Sequence, residues 1–180
     1  MWARTGNRFL SVLPMIAAFA LGPVPSTFSP ATSDDIGLAT FQNRIIDLKE
    51  GWQGAVSCVV LTARETRCFA TPEEADALLG YSRSSDPLTI QGIPACPSGW
   101  LCLYEDVQGG GRSLQFRDEY WQYLLNWGFD RKTSSWRNNQ GPSDWGHLAM
   151  YNSSTVYNCA PQSYALSMGI YNDQAYAVWG

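Results

Sequence analysis

Histidine is nearly absent from this 180-residue sequence, which contains only His147. That residue follows Gly146 in a segment with neither the H-E-x-x-H pattern of zinc peptidases nor the G-x-S-x-G turn of serine hydrolases. Carboxylates are adjacent at Glu105–Asp106 and at Asp118–Glu119. Neighbouring residues of a strand point to opposite faces, so neither pair alone forms a two-carboxylate site. The composition therefore predicts a protein that is not an enzyme.

Charged residues are also few, at 16% of the chain, and the formal net charge is −4. A nucleic-acid-binding protein needs a clustered basic surface that offsets phosphate charge, and the sequence supplies none. Long apolar runs are missing as well: residues 9–21 are interrupted by Pro14 and fall short of the ~20 residues that a membrane-spanning helix needs. We expect neither a nucleic-acid partner nor a membrane anchor in the mature protein.

Residues 1–31 are instead typical of a secretory signal peptide. Arg4 and Arg8 give a positive start, the apolar run follows, and small residues allow cleavage after Ala20 or Ala31. Removal of this segment takes away two of the 12 basic residues and none of the 16 acidic ones, which leaves 10 minus 16, or −6. The predicted location is extracellular.

Five cysteines, all beyond residue 31, are consistent with an oxidising compartment. Four of them form pairs that are close in sequence, Cys58 with Cys68 and Cys96 with Cys102. Cys159 is left over, either as a free thiol or as a residue that displaces one member of the second pair. Structural zinc prefers more closely spaced cysteines or added histidines, so disulfides are the favoured prediction.

Residues 34–81 predict a small N-terminal appendage made of a β-hairpin and a helix. Arg44–Lys49 and Ala55–Thr62 have strand composition, with the turn residues Gly51–Gly54 between them. The nine residues between Cys58 and Cys68 could themselves form a hairpin closed by a disulfide.

A capping box marks the start of the appendage helix. Thr71 is suited to the N-cap, Pro72 to the first helical position and Glu74 to the reciprocal bond, while Gly80 ends the helix. We interpret the appendage as a stabilising extension, with a prosegment or accessory subdomain as the alternative. Residues 82–95, rich in Ser, Gly and Pro, are predicted to be a linker.

The clearest organisation lies in residues 96–137. Leu101–Glu105 and Ser113–Phe116 are short strand-like runs, and Gly111 between them can take a positive φ at little cost. An aromatic-rich segment then leads to Thr133–Trp136, which has the composition of a returning strand. Four short strands in about forty residues indicate a Greek key.

This segment resembles the first motif of a βγ-crystallin domain. Tyr104 is followed seven residues later by Gly111, as in the hairpin that folds over in that family. The hexad D-R-K-T-S-S at 130–135 is similar to the family's calcium hexad. The C-P-x-G-x-x-C-L-Y opening, the Y-W-Q-x-L segment and the final S-S-W most resemble secreted bacterial peptidase inhibitors of the Streptomyces metalloproteinase-inhibitor type.

A second, shorter copy of the motif is expected near the C-terminus. Tyr151 is followed seven residues later by Asn158, a residue type that tolerates positive φ, and residues 172–177 take the place of the hexad. The resemblance therefore implies a mainly β protein, in which two Greek-key motifs at about 96–137 and 147–180 form a βγ-crystallin-like sandwich.

The resemblance also implies what the hexads can bind. In the family, the fifth position supplies a side-chain oxygen and the third a backbone carbonyl; these roles fall on Ser134 and Lys132, with Asp130 beside them. Arg131 brings a positive charge to the place of an Asn or Asp, and Tyr176 lacks the expected hydroxymethyl oxygen. We expect no required cofactor and at most a weak calcium half-site.

For function, the resemblance implies that residues 96–180 are a secreted peptidase inhibitor, a monomer that presents a rigid loop to an extracellular protease, with metalloproteinases as implied targets. No residue of an inhibitory loop is transferred, because the family's reactive bond lies outside the matching motifs. One alternative is an extracellular structural or weakly calcium-binding protein of βγ-crystallin type. Another is a carbohydrate-binding protein that uses exposed tryptophans. The tryptophans considered are Trp100, Trp121, Trp127, Trp136, Trp145 and Trp179.

Overall fold

The computed structural model describes Met1, residues 36–151 and residues 153–180. The predicted signal peptide, with cleavage after Ala20 or Ala31, lies outside these residues apart from Met1. Within the described ranges, no helix is long and apolar enough to cross a bilayer.

The described residues form two β-sheets with short helices. The N-terminal part supplies β1 (Leu38–Phe41), β2 (Arg44–Asp47), β3 (Ser57–Thr62), β4 (Glu65–Phe69), α1 (Pro72–Leu78) and α2 (Pro87–Ile90). The next four strands are β5 (Leu101–Tyr104), β6 (Ser113–Phe116), β7 (Gln122–Tyr123) and β8 (Ser135–Asn138). The last four are β9 (Gly146–Met150), β10 (Val156–Cys159), β11 (Ser163–Ala165) and β12 (Ala175–Trp179).

Strands β5 to β8 and β9 to β12 form two Greek-key motifs that exchange their third strands. β5, β6 and β8 lie in the first sheet, which β11 completes by pairing with β8. β9, β10 and β12 lie in the second sheet, which β7 completes by pairing with β12. The exchange ties the two motifs into one sandwich. The predicted fold class, a mainly β sandwich of two Greek keys with an N-terminal hairpin and helix, is confirmed.

The two sheets differ in how many of their faces are covered. In β5, Leu101 and Leu103 pack in the core between the sheets, whereas Cys102 and Tyr104 pack in a second cluster on the outer side. β9 alternates instead, with Leu148 buried and the neighbouring His147 partly exposed. The pattern of apolar residues thus indicates two buried faces in the first sheet and one in the second.

The N-terminal appendage covers the outer face of the first sheet. β3 pairs in parallel with β6, with Ser57 opposite Ser113, so the appendage strands continue the first sheet in the order β6-β3-β4-β1-β2. Helix α1 lies over the outer face, where Ala75 packs in one cluster with Trp100 and Tyr104. β6 is therefore an inner strand of an eight-stranded sheet and not an edge.

The strands of the appendage pair differently from the pairing that the sequence predicts. β2 pairs with β1, and β3 pairs with β4. The implied pairing of Arg44–Lys49 with Ala55–Thr62 across the turn at 51–54 is therefore wrong. The error has a simple cause: β1 is only four residues long, and three of them, in the sequence Leu-Ala-Thr-Phe, are apolar, so the sequence does not alternate strictly between polar and apolar residues.

The core is shared between the appendage and the first motif. Trp127 is fully buried; its Nε1 donates to Oγ1 of Thr66 at 3.1 Å, and its carbonyl accepts from Nε1 of Trp52 at 2.7 Å. The ring of Trp127 also packs edge-on against the ring of Phe116, with 5.3 Å between ring centroids. Appendage side chains in this core include Phe41, Ile46, Leu48 and Trp52.

Both predicted disulfides are present. Cys58–Cys68 joins directly opposed residues of the β3–β4 hairpin, and Cys96–Cys102 closes the segment before β5. Cys159 is a buried free cysteine, and burial raises the pKa of its thiol. Because Cys96 is bridged to Cys102, Cys159 displaces neither member of the second pair.

Helix α1 begins as the sequence predicts. Oγ1 of Thr71 accepts from the backbone N–H of Glu74 at 3.3 Å, and the Glu74 carboxylate accepts from the N–H of Thr71 at 3.3 Å. The segment predicted as a linker, 82–95, contains α2 and is tied to β8: Nη1 of Arg137 donates to Asp86 at 2.7 Å and to the Pro94 carbonyl at 3.0 Å.

The turn predictions differ between the two motifs. Gly111 has φ +68°, as predicted, and a Cβ there would lie 2.8 Å from Oδ2 of Asp106. Asn158, its predicted counterpart, lies instead inside β10, opposite His147, and the prediction of a positive φ is wrong. The connection between the first two strands spans residues 151–155 in the second motif and residues 105–112 in the first, so it is three residues shorter in the second motif.

Candidate functional site

The two hexads occupy equivalent positions in the sandwich, although their sequences differ. The second residue of each, Arg131 and Asp173, has a left-handed φ, at +51° and +57°. The Arg131 N–H donates to the carbonyl of Ala175 at 2.8 Å, and the Asp173 N–H donates to that of Thr133 at 3.1 Å. Each hexad is thus held by the other, and a cavity lies beside each of them.

The first cavity, here called the polar cradle, contains two of the three predicted calcium residues. Oγ of Ser134 donates to Oδ1 of Asp173 at 3.2 Å, and Nδ2 of Asn172 donates to Oδ2 of the same carboxylate at 2.8 Å. The cradle has a volume of about 490 Å³. It is lined by Glu105, Asp106, Val107, Arg131, Lys132, Ser134, Asn172 and Asp173.

Cations already neutralise the main carboxylate of the polar cradle. Arg112 donates through Nε and Nη2 to the two oxygens of Glu105, each at 2.7 Å, and Nζ of Lys132 lies 3.9 Å from Oε1. These contacts, the Arg112 hydrogen bonds first, lower the pKa of Glu105. The carboxylate is therefore ionised and has few free lone pairs for another ligand.

The second cavity, the aromatic cradle, contains Asp130, the third predicted calcium residue. Tyr176 fills the place that Ser134 has in the first cradle and stacks on Tyr123, with ring centroids 6.3 Å apart. Nε of Arg131 lies 3.0 Å from Oδ2 of Asp130. The cavity measures about 480 Å³ and is lined by Tyr123, Leu125, Asp130, Met150, Tyr151, Ser153 and Tyr176.

The predicted half-site of Asp130, Lys132 and Ser134 is therefore divided between two cradles, because Asp130 lines the aromatic cradle whereas Lys132 and Ser134 line the polar cradle. Neither cradle is a good fit for calcium, which needs six to eight oxygen ligands. Among the described residues, no group of three or more His, Cys, Asp or Glu is placed to hold a metal ion. Positive charge lies near both cavities: Lys132 lines the polar cradle, and the Arg131 guanidinium lies beside Asp130 and over the Tyr151 ring in the aromatic cradle.

We accordingly expect calcium to stabilise the protein very little. A site with a dissociation constant of about 10⁻⁴ to 10⁻³ M, typical of extracellular modules, adds only ~0.4 kcal/mol when calcium equals that constant. Thermal unfolding with 1 mM calcium or with EDTA should give midpoints within a few degrees of each other. A large increase that disappears in Ser134→Ala would contradict this expectation.

A third feature, which sequence reasoning missed, is a pair of linked loops at one end of the sandwich. This loop pair consists of 105–112 and 166–171. The N–H of Gln108 donates to the carbonyl of Leu166 at 2.7 Å, and the N–H of Met168 donates to that of Ser134 at 2.9 Å. Oγ of Ser135 donates to the carbonyl of Asp106 at 2.6 Å and accepts from the N–H of Gly109 at 2.9 Å. The pair is thus held by main-chain hydrogen bonds and by the hydroxyl group of Ser135.

The loop pair presents apolar side chains to solvent. Ile170 is 89% exposed and lies on a short 3₁₀ turn that follows the buried Met168. The ring of Tyr171, at the end of this turn, packs edge-on against the ring of Tyr157, with 5.4 Å between ring centroids. Val107 is half-exposed at the tip of the other loop. An isolated apolar residue after a glycine carries no sequence signal of its own, which is why the sequence did not point to Ile170.

The tryptophans considered for carbohydrate binding fall into two groups. Trp100, Trp127 and Trp136 are buried in the two hydrophobic clusters. Trp121 and Trp145 are 43% and 48% exposed, and Trp179 is partly buried beside Trp121, at 6.0 Å between ring centroids.

Residues 90–165 match the model of peptidase inhibitor family I36, and the resemblance predicted from the sequence is confirmed over those residues. A search of curated proteins found no significant match. Three similar solved structures are all βγ-crystallin-type domains. A structure on the evolution of the eye lens βγ-crystallin fold is 17% identical, covers 49% of this chain and 91% of its own, and has a TM-score of 0.42. A βγ-crystallin from Ciona intestinalis is 22% identical, with coverages of 45% and 98% and a TM-score of 0.36. Spherulin 3A from Physarum polycephalum is 17% identical, with coverages of 49% and 88% and a TM-score of 0.39.

Proposed function

We infer that this chain, whose residues 90–165 match peptidase inhibitor family I36, is a secreted inhibitor that acts as a monomer on an extracellular protease. The family match is the observation that carries the proposal. Two disulfides are consistent with an oxidising location outside the cell. Metalloproteinases are the proposed targets, because the motifs of the segment resemble inhibitors of that class.

The loop pair is the proposed contact surface. An inhibitor must hold a segment in a target site without losing much conformational entropy on binding, and a segment that is already ordered loses little. Main-chain hydrogen bonds hold Gln108 and Met168 from behind, while Ile170 extends into solvent. An apolar side chain on a rigid turn suits the apolar pocket of a protease, and its burial there would provide a central anchor.

A protease panel tests the inhibitor function itself. The purified protein, without residues 1–31, should slow one or more thermolysin-type metalloproteinases at stoichiometric concentrations, and serine proteases serve as the comparison class. Inhibition of serine proteases alone would support the inhibitor function but would show that the targets are serine proteases and not metalloproteinases. An absence of inhibition across both classes would overturn the proposal.

Ile170→Asp tests the contact surface. Because the side chain is 89% exposed, the substitution should leave the free energy of unfolding within about 0.5 kcal/mol of the original, while the inhibition constant rises by about tenfold or more. Ile45→Asp, at a residue 67% exposed on strand β2, is the matched control and should inhibit normally. Equal inhibition by both variants would show that the loop pair is not the contact surface.

A further inference from the structure

The outer faces of the two sheets have opposite character. The appendage and the Cys96–Cys102 disulfide cover the outer face of the first sheet. Among the described residues, no element packs over the corresponding face of the second sheet, and aromatic rings lie on it. Trp121 and Tyr123 are exposed there, and Tyr176 and Trp179 are partly exposed. The outer face of the first sheet is therefore buried, whereas that of the second sheet is exposed to solvent.

One row of side chains crosses all four strands of this second sheet. Asn158 is paired with His147, and His147 with Trp179. Val178 is paired with Gln122, so Trp179 comes opposite Trp121, the residue immediately before β7. Paired residues point to the same face of a sheet, and three strand spacings make the row about 14 Å long. We call it the Trp121–Asn158 row.

The row is aromatic at one end and polar at the other. The ring of Trp121 lies 6.0 Å from that of Trp179 and 6.5 Å from the imidazole of His147. Nδ1 of His147 donates to Oδ1 of Asn158 at 2.9 Å, because an amide oxygen can only accept. In the neutral imidazole, that bond leaves Nε2 of His147 able to accept a hydrogen bond, and Nδ2 of Asn158 is able to donate one.

The groove along the row contains no ionised carboxylate, amine or guanidinium. It has a volume of about 310 Å³ and is lined by Trp121, His147, Val156, Asn158 and Trp179. A ligand that fits it needs a flat C–H face for the indole rings and a group that donates and accepts hydrogen bonds at once. Hydroxyl groups on a sugar ring meet both needs, whereas an anionic or cationic ligand would find no counter-charge in the groove.

We propose that the Trp121–Asn158 row binds a neutral glycan chain, with sugar rings stacked on Trp121 and Trp179 and hydroxyl groups bonded to His147 and Asn158. The site is on a different part of the molecule from the loop pair. It would let the protein attach to a polysaccharide surface while it acts on a protease, and it does not depend on the proposed inhibition.

The test is a titration of the full mature protein, with no protease present, with cellotetraose and with chitotetraose, followed by tryptophan fluorescence and calorimetry. We expect a saturable change with at least one of these probes. Trp121→Ala should weaken that binding about tenfold, and Asn158→Ala should weaken it several-fold. Trp145→Ala, at a tryptophan that is 48% exposed but lies outside the row, should bind as the original protein does.

Both row variants change exposed side chains, and circular dichroism will establish that each is folded. Three outcomes would overturn the proposal: no saturable response to either oligosaccharide, binding that survives in both Trp121→Ala and Asn158→Ala, or saturable binding of an aromatic tetrapeptide in place of the sugars. The last result would assign the row to a protein partner.

Discussion

Removal of residues 1–81 is expected to abolish folding of the remaining chain. The truncation would turn β6 into an edge, because β3 pairs with it in parallel from Ser57 to Val59. It would also uncover Tyr104 and Trp100 on the outer face of the first sheet. An exposed edge and an exposed apolar face both favour aggregation.

The energetic loss exceeds what a small domain can tolerate. Trp127 would lose the acceptor of its Nε1 in Thr66 and its packing neighbours from the appendage. Truncation of one buried large side chain costs about 3–5 kcal/mol, whereas the whole stability of a domain is about 5–15 kcal/mol. Phe41, Leu48 and Trp52 are all buried, so the free energy lost with all three exceeds the whole free energy of unfolding of the domain.

Near-ultraviolet circular dichroism and thermal unfolding of residues 82–180 will check this prediction. The fragment should show no cooperative transition, while a protein that lacks only residues 1–31 should unfold cooperatively. A stable fragment 82–180 would contradict the interpretation of the appendage as a structural extension and would support a removable prosegment.

Sequence patterns were sufficient where the interactions are local. The capping box at Thr71 and Glu74 involves residues three apart, and the left-handed Gly111 lies in a single hairpin. Cys58 and Cys68 pair across one turn. In each case a residue type and a short spacing determine the geometry.

Long-range pairing had no such signal. β7 is two residues long, Gln122–Tyr123, so nothing in its composition indicates that it crosses to the other sheet. The parallel contact of β3 with β6 joins residues 56 apart, from Ser57 to Ser113. Shortening of the second motif's first loop placed Asn158 in a strand, which a fixed seven-residue spacing could not anticipate. The division of Asp130 from Ser134 likewise requires the fold, because each cradle takes residues from both motifs.

Arg137→Ala is expected to destabilise the protein by about 3–5 kcal/mol, as removal of one partner from a buried ion pair commonly does. Arg137 is 4% exposed in the middle of β8, and its Nη1 donates to Asp86 at 2.7 Å, to Thr89 at 3.2 Å and to the Pro94 carbonyl at 3.0 Å. The alanine variant would leave the Asp86 carboxylate without its cation. Chemical denaturation at pH 7 will measure the difference.

The acid dependence of this difference gives a second, independent readout. Burial acts to raise the pKa of Asp86, but hydrogen bonds from Arg137, Tyr81 and Thr89 outweigh it and hold the pKa well below its ordinary value. A carboxyl group whose pKa is lower in the folded state stabilises that state above its unfolded pKa of about 3.9, and the stabilisation is lost as pH falls toward the folded value. The gap in unfolding free energy between the original protein and Arg137→Ala should therefore be widest above pH 5 and narrow toward pH 2.

Arg67→Ala is the matched control for both readouts. Arg67 pairs with Glu65 at 2.8 Å, but both side chains are about half exposed, and such pairs contribute about 0–1 kcal/mol. Its substitution should change the unfolding free energy little at any pH. A loss in Arg137→Ala no larger than that of the control, or one that stays constant between pH 7 and pH 2, would show that the Arg137–Asp86 pair does not fasten residues 82–95 to the sandwich.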